Sequence, residues 1–321
     1  MKNKTHLICS FLICSFISTN AQYTELINSN RPGTSQGAFA VGNQVLQLET
    51  GASMGWEEHN LLQTETDAFT IDYSIRYGLL WEQLEISFMG SYLSQNVTDF
   101  RNPNNIQEYK ISNFSSNTLG AKYLVYDPYK KRSIEKPNLY SWDANNKFRW
   151  RELIPAVAVY AGVNIDTKDN PFLPINEPQV SPKFLLSTQN NFQGGWVFVT
   201  NIIVDRITSD FPTYSYIITL THAFNQNFSA FVENQGIKSD FYADQLVRFG
   251  GAYLFGRDLQ VDALATINFK DTPSRFFVGA GVSYRFDMHS KDEFIEDESD
   301  GKRDDDEGKE KRKDDFIDDG K

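Results

Sequence analysis

The sequence of 321 residues predicts an all-β chain that forms a transmembrane antiparallel up-and-down β-barrel of about 12 strands, followed by a disordered C-terminal tail. Three observations predict this fold. Segments of about ten residues alternate between apolar and polar positions. The candidate segments are even in number. After the first 21 residues, no stretch stays apolar for the ~18 residues that indicate a membrane-spanning helix.

Residues 1–21 have the features of a secretory signal peptide. Lys2 and Lys4 precede an apolar stretch from Leu7 to Ile17, and Ala21 provides a small residue at the cleavage position. A short membrane anchor is the alternative, but the apolar stretch is shorter than the ~20 residues that a helix needs to span a bilayer. Both cysteines lie inside this segment, so the mature chain is expected to contain no disulfide, Cys-ligated metal or thiol nucleophile.

Strict alternation is clearest in four of the segments that follow. In one of them, the apolar face is Phe69, Ile71, Tyr73, Ile75 and Tyr77, and the polar face is Thr70, Asp72, Ser74, Arg76 and Gly78. Near the C-terminus, Phe276, Val278, Ala280, Val282, Tyr284 and Phe286 oppose Arg275, Gly279, Gly281, Ser283 and Arg285. A helical period would scatter both sets around the axis, so these segments are predicted to be strands.

Looser alternation extends the strand prediction along the chain. The candidate strands are 44–55, 67–79, 83–95, 113–126, 152–166, 181–192, 195–206, 213–224, 227–238, 244–256, 258–270 and 274–286. Tight connections alternate with longer polar ones, which is the arrangement of a bacterial outer-membrane barrel with short turns at one rim.

A soluble all-β protein would also alternate, because it buries one face of each strand. Here the second face is rich in Gly, Ser and Thr with few charges of mixed sign, as expected for a water-facing lumen. Aromatic residues also collect at the rim with the short turns, as in an interfacial girdle. The predicted location is therefore the outer membrane of a Gram-negative bacterium, in contact with outer-membrane lipid.

Four motifs also resemble a known family. They are Asn30-Arg31-Pro32-Gly33-Thr34, Gln47-Leu48-Glu49-Thr50-Gly51, Arg76-Tyr77-Gly78-Leu79 and the closing residues 276–286. Through these motifs, most of residues 28–286 resemble the outer-membrane barrels of the phenol-degradation meta-pathway type, which are common in Bacteroidetes. The resemblance implies an outer-membrane barrel assigned to transport. The sequence departs from the family in having Asn30 where an Asp is usual, and in continuing for 35 residues beyond Phe286.

The predicted organisation is an N-terminal periplasmic or plug segment at 22–43, the barrel at 44–286 and an acidic periplasmic tail at 287–321. With the N-terminus in the periplasm, the charged lumen candidates fall in the periplasmic half of the barrel. These candidates for a selectivity ring or gate are Glu49, Arg76, Glu85, Lys122, Asp262 and Arg285, with Arg31 as a candidate plug contact. The alternative is a salt-bridge network that fills a narrow lumen.

Two segments are candidates for docking a periplasmic or outer-membrane protein, and the first is also a candidate for binding an anionic lipid headgroup. One is the long connection 127–151, in which basic and aromatic residues are mixed, and the other is the tail, in which a short acidic and apolar motif occurs twice. The candidate residues are Lys130, Lys131, Arg132, Trp142, Trp150, Phe294, Ile295, Phe316 and Ile317. The alternatives are a turn that packs on itself and a solubilising or weakly Ca²⁺-binding extension.

No convergent set of catalytic or metal-ligating residues is recognisable in the sequence. His59, His222 and His289 are widely spaced and belong to no known motif, so no enzyme activity, metal or cofactor is expected. With a sequence pI of about 4.9 and no basic stripe, a nucleic-acid partner is not expected either.

The predicted function is a passive channel or transporter for small molecules, hydrophobic ones included. The alternative is a non-enzymatic accessory or structural subunit of an outer-membrane assembly or secretion complex, which docks partners through 127–151 and the tail. Lumen width separates the two, because an open lumen favours transport and a lumen filled with side chains favours the accessory role.

Overall fold

A computed structural model describes residues 26–132, 140, 150–175, 177–270 and 272–288, with the backbone alone at residues 131 and 132. Its strands are β1 Val45–His59, β2 Thr64–Gly78, β3 Leu84–Asp99, β4 Gln107–Tyr126, β5 Ala156–Ile165, β6 Val180–Phe192, β7 Trp196–Asp205, β8 Thr213–Ala223, β9 Phe228–Lys238, β10 Ala243–Phe255, β11 Leu259–Asn268 and β12 Ser274–Asp287. A one-turn helix, α1 (Tyr129–Arg132), and a short 3₁₀ turn (Trp150–Leu153) lie between β4 and β5.

The twelve strands form one closed antiparallel barrel in which each strand pairs with its neighbours in sequence and β1 pairs with β12. Fourteen residue pairs join β1 to β12, from Val45 opposite Asp287 to Glu58 opposite Ser274. Closure removes the free edges that an open sheet would expose. We call the end that carries Val45 and Asp287 the terminal rim and the opposite end the loop rim.

Side chains alternate between the lumen and the outside as the sequence predicts. On β12, Val278, Val282 and Tyr284 are exposed on the outer surface, whereas Ser283 and Arg285 are buried inside. The outer surface exposes many large apolar side chains, and the lumen buries Gln, Asn, Ser and charged residues. A barrel that is apolar outside and polar inside is stable in a lipid bilayer, so this chain is an outer-membrane β-barrel.

Aromatic side chains form a band near the terminal rim, as expected for residues at headgroup depth. Exposed members of this band are Trp81, Tyr123, Tyr126, Trp196, Phe224, Phe228, Phe255 and Phe286. Several contact one another across neighbouring strands, including Phe224 and Phe228 with ring centroids 5.7 Å apart.

Several strands are longer than predicted, because they continue beyond the apolar zone towards the loop rim. The connection left between the predicted strands 83–95 and 113–126 is too long: β3 runs to Asp99 and β4 begins at Gln107. Two features hide these strand ends in the sequence. Both faces are polar there, and an extra residue, Ser115, forms a bulge in β4 that shifts the inside and outside positions.

None of the helices among the described residues is long and apolar enough to cross a membrane.

The chain divides into two compact units after Asp287, and the barrel with residues 26–44 belongs to the first. The predicted signal peptide at 1–21 and the predicted tail beyond Met288 lie outside the described residues, so both stay predictions.

Candidate functional site

Residues 26–44, which we call the inner segment, lie inside the barrel. The segment belongs to no strand ladder, and wall side chains satisfy much of its backbone. Its N–H groups at Gln36, Ala38 and Val41 donate to Asn201, Gln189 and Glu85 at 2.6, 3.0 and 3.0 Å. These acceptors lie on three different strands, β7, β6 and β3. Only a segment running through the lumen can reach all of them.

Wall side chains also donate hydrogen bonds to the carbonyl groups of the inner segment. Lys122 Nζ lies 3.1 Å from the oxygen of Gly37 and 3.0 Å from that of Phe39. Gln260 Nε2 donates to the oxygen of Arg31 at 3.0 Å. The inner segment therefore fills much of the lumen on the side of the terminal rim.

Four of the predicted lumen residues form one buried ionic network on β1 to β4. The Arg76 guanidinium binds both oxygens of Glu85 at 2.9 Å and Oε1 of Glu49 at 3.0 Å. Lys122 Nζ lies 3.4 Å from Glu85. The side chains of all four are at most 3% exposed, and Arg76 also donates to the oxygen of Asn28 at 2.7 Å. The network thus joins the wall to the inner segment.

Arg31 connects the inner segment to β11, which lies on the other side of the β1–β12 junction from the ionic network. Its Nε and Nη2 atoms bind the two oxygens of Asp262 at 3.1 and 3.0 Å. The guanidinium lies over Gly51 and Gly281, which are directly paired across β1 and β12. A Cβ atom at either glycine would overlap the guanidinium, so this ion pair requires glycine at both positions.

Glu233 on β9 is a third anchor for the inner segment. Its carboxylate accepts hydrogen bonds from the N–H groups of Thr34 and Ser35 and from the Thr34 hydroxyl, at 2.8 to 3.2 Å. The hydroxyl of Thr219 and the guanidinium of Arg248 complete its surroundings, at 2.8 and 3.0 Å. With so many charge-assisted bonds, the turn at residues 33–35 is held firmly.

On the loop side of the inner segment, the lumen opens into a cavity of about 870 Å³. The inner segment forms its floor, and part of its wall is apolar. Tyr160, Leu185, Ile203 and Ile217 form a buried cluster on β5 to β8, against which Met89 packs. Further apolar residues lining the cavity are Leu93, Ile237, Leu246, Leu264 and Phe277.

This apolar lining departs from the polar lumen that the strand alternation predicts. Leu264 and Phe277 occupy inward positions on β11 and β12, next to inward polar residues such as Asp262 and Arg275. The signal was present, because an apolar residue at an inward position breaks the alternation. A single interruption is easily overlooked in one strand, and only the closed barrel brings several of them together.

Tyr242 lies near the loop rim, between β9 and β10, and also lines the cavity. Burial, together with the nearby carboxylates of Asp244 and Glu57, raises the pKa of the phenol above its usual range. Tyr242 donates its hydroxyl to Asp244, and the Arg275 guanidinium lies 5.2 Å from the centre of its ring. Tyr242 is therefore a neutral hydrogen-bond donor at ordinary pH.

The structure brings most of the predicted lumen residues onto the inner segment but not into a single ring. Glu49, Arg76, Glu85 and Lys122 form the network, and Asp262 binds Arg31 instead. Arg285 pairs with Asp287 at 3.0 Å, near the terminal rim. A gating role for these residues stays a prediction.

The predicted docking residues are only partly described. Lys130 lies on α1, and Trp150 is 82% exposed in the 3₁₀ turn. The side chains of Lys131 and Arg132, and the whole of Trp142, Phe294, Ile295, Phe316 and Ile317, lie outside the described residues. Partner docking stays a prediction. Within the described part of the chain, no group of three or more His, Cys, Asp or Glu residues is arranged to hold a metal ion.

Among solved structures, the chain is similar to several outer-membrane barrels. An outer-membrane channel from Pseudomonas putida F1 aligns with a TM-score of 0.49 at 9% identity, covering 81% of this chain and 100% of that channel. The β-domain of the Bordetella autotransporter BrkA gives a TM-score of 0.46 at 9% identity, covering 76% and 100%. The toluene transporter TodX of Pseudomonas putida gives 0.42 at 9% identity, covering 76% and 90%.

At these identities the similarities assign no substrate to this chain. No curated protein sequence matches it. The origin in Bacteroidetes that the resemblance implies stays a prediction. A family model does match residues 29–286, which include most of the inner segment and nearly all of the barrel. The chain therefore belongs to the family described as "Putative MetA-pathway of phenol degradation".

Proposed function

We propose that this protein is a passive, non-enzymatic outer-membrane channel for small, partly hydrophobic molecules. The observation that carries the proposal is the cavity of about 870 Å³ on the loop side of the lumen, with its apolar wall around Ile203 and Ile217. Binding pockets for small organic molecules have this size and mixture of apolar and polar walls. A water-filled pore for ions or sugars would not need an apolar lining.

The inner segment is the barrier to passage in this proposal. It separates the cavity from the terminal rim, which faces the periplasm in the predicted orientation. Backbone hydrogen bonds hold its two ends, from Ile27 to Arg257 and from Gln44 to Gly78. Between them only side-chain hydrogen bonds and ion pairs hold it, and no strand ladder does, so its middle can be displaced without opening the barrel wall. Passage therefore requires the inner segment to move or to shift locally, while the strands stay paired.

A reversible crosslink tests this mechanism. The hydroxyl oxygens of Ser29 and Ser283 lie 2.7 Å apart, one on the inner segment and one on β12. This proximity suits a disulfide in the variant Ser29→Cys/Ser283→Cys. The only native cysteines are at positions 9 and 14, inside the predicted signal peptide, so no other thiol should compete.

The assay is uptake of a labelled small aromatic compound by Gram-negative cells that lack their major porins. Production of the wild-type protein should raise uptake above that of vector-only cells. The oxidised double variant should return it to the vector level, and a reducing agent should restore it. Each single cysteine variant is the control and should respond to neither treatment. Equal uptake by the oxidised and reduced double variant would show that the inner segment is not the barrier.

The accessory role remains the alternative prediction. Most of the residues on which it depends, in 127–151 and in the tail, lie outside the described residues. The cavity itself favours the channel, because an accessory subunit needs no apolar space inside the barrel.

A further inference from the structure

Asp72 is an unusual carboxylate in the lumen wall. It occupies an inward position on β2, directly opposite Gly51 of β1, and it lines the loop-side cavity. Its side chain is exposed to that cavity. No cation lies within ion-pair distance of its carboxylate in the described part of the chain, and no hydrogen bond to that carboxylate is found there. Arg31 and Arg248 act on it electrostatically from a greater distance.

The other charged residues around the cavity are already paired. Arg31 binds Asp262, Arg248 binds Glu233, and Lys183 lies 3.4 Å from Asp205. Each of these three cations is therefore balanced by a carboxylate of its own. None is left to attract an organic anion, and none neutralises Asp72 by direct contact.

Two further clusters near the loop rim each hold more carboxylates than cations. Arg275 faces both Glu57, at 3.1 Å, and Asp244, at 3.3 Å. Arg206 faces both Asp166, at 2.6 Å, and Glu177, at 3.5 Å. Each cluster carries one excess negative charge. Together with Asp72, they make the lumen on the loop side of the inner segment electronegative, so this part of the lumen attracts cations.

The buried apolar cluster of β5 to β8 lies on the other side of the barrel from Asp72, whereas Leu93 of β3 and Phe277 of β12, which also line the cavity, lie nearer to it. In a ring of twelve strands, β8 is six strands from β2 and is therefore opposite to it. Ile217 of β8 and Ile203 of β7 belong to the apolar cluster and line the same cavity as Asp72. A molecule that spans the cavity thus meets the apolar side chains of this cluster on one side and the Asp72 carboxylate on the other.

We propose that the loop-side cavity binds small amphipathic organic cations, with the ammonium group at Asp72 and the apolar body against the wall formed by β7 and β8. This proposal rests on the proposed channel function and deepens it, because it names the substrate class. Binding such a cation neutralises Asp72 and covers apolar surface, so both halves of the ligand contribute. An anion of the same shape would face Asp72 without a free cation nearby.

The test is calorimetric binding to the purified full-length chain in detergent, which does not require passage through the membrane. The probes are phenethylammonium, phenethyl alcohol and 3-phenylpropionate, which share a phenyl body and differ in charge. The wild type should bind phenethylammonium most tightly and 3-phenylpropionate most weakly. Asp72→Asn should weaken the binding of phenethylammonium by about tenfold and change that of phenethyl alcohol by less than about twofold, because only the cation loses a charge partner.

The matched control is Asp67→Asn, which removes the same charge from the same strand at an outward position. It should bind all three probes as the wild type does. Heat-modifiable migration on gels will show that each variant is a folded barrel. The proposal is overturned if Asp72→Asn and Asp67→Asn bind phenethylammonium equally, or if the wild type does not distinguish the cation from the alcohol. If binding follows Asp72 but no compound crosses the membrane, the binding site stands and the channel function fails.

Discussion

Removal of Arg76 should destabilise the barrel strongly, because Arg76 has the most demanding position in the buried network. Its side chain is fully buried and donates four hydrogen bonds, two to Glu85, one to Glu49 and one to the oxygen of Asn28. Arg76→Ala would remove all four. Glu85 would keep Lys122 at 3.4 Å and the Val41 N–H, whereas Glu49 would keep only neutral donors such as Gln47.

Breaking a buried ion pair on one side leaves an uncompensated charge and costs about 3–5 kcal/mol. We expect a loss of that size in the free energy of unfolding, at the upper end because two carboxylates lose the same partner. The measurement is equilibrium unfolding in urea with the protein in phospholipid vesicles, followed by tryptophan fluorescence. Every tryptophan of the chain is retained in this variant.

Arg101→Ala is the matched control. Arg101 also forms an ion pair with a carboxylate, that of Asp99, but its side chain is 66% exposed at the loop rim. Water replaces such a pair with little change in stability. If Arg76→Ala lost no more stability than Arg101→Ala, the buried network would not hold the inner segment to the wall, and this reasoning would be refuted.

Two further changes test the inner segment and the apolar wall. Gly281→Val should push the Arg31 guanidinium off Asp262. Because a charge-assisted pair of ~1.5–3 kcal/mol holds the closed arrangement, the basal conductance of single barrels in planar bilayers should rise by about tenfold. Unchanged conductance would contradict this. Ile217→Thr should lower uptake of a labelled aromatic compound relative to labelled glycerol by about two- to fivefold, because buried apolar surface is lost. The neighbouring outward change Ile218→Thr is the control and should leave this uptake ratio unchanged. Equal ratios in both variants would show that the apolar wall does not determine the preference for aromatic compounds.

The sequence predicts the barrel well because strand alternation is a local property. On β12, each outward residue from Phe276 to Phe286 is recognisable from its immediate neighbours, and the structure confirms the outer face. The strand ends near the loop rim were less predictable, because the outward residues there meet water and are also polar. The bulge at Ser115 also changes the register between β3 and β4, and no local sequence pattern predicts this change.

The site was predictable only in part, because its contacts are not local. Inward charged residues such as Glu49 and Arg76 are recognisable because their positions alternate with those of the outward apolar residues. Their partners depend on where the inner segment runs, and Arg31 is 231 residues away from Asp262 in sequence. The opposition of Asp72 and Ile217 follows only from the number of strands in the closed ring.

The route of the inner segment also has a consequence for assembly. It is made before every strand, yet its anchors include Glu233 on β9 and Asp262 on β11, which are made near the end. Contacts between residues so far apart in sequence form slowly, because much chain entropy is lost before the contact is gained. The first part of the barrel domain to leave the ribosome is therefore among the last to become ordered. Insertion of the segment and joining of β1 to β12 must be coordinated, since the guanidinium of Arg31 lies on the seam where the sheet closes.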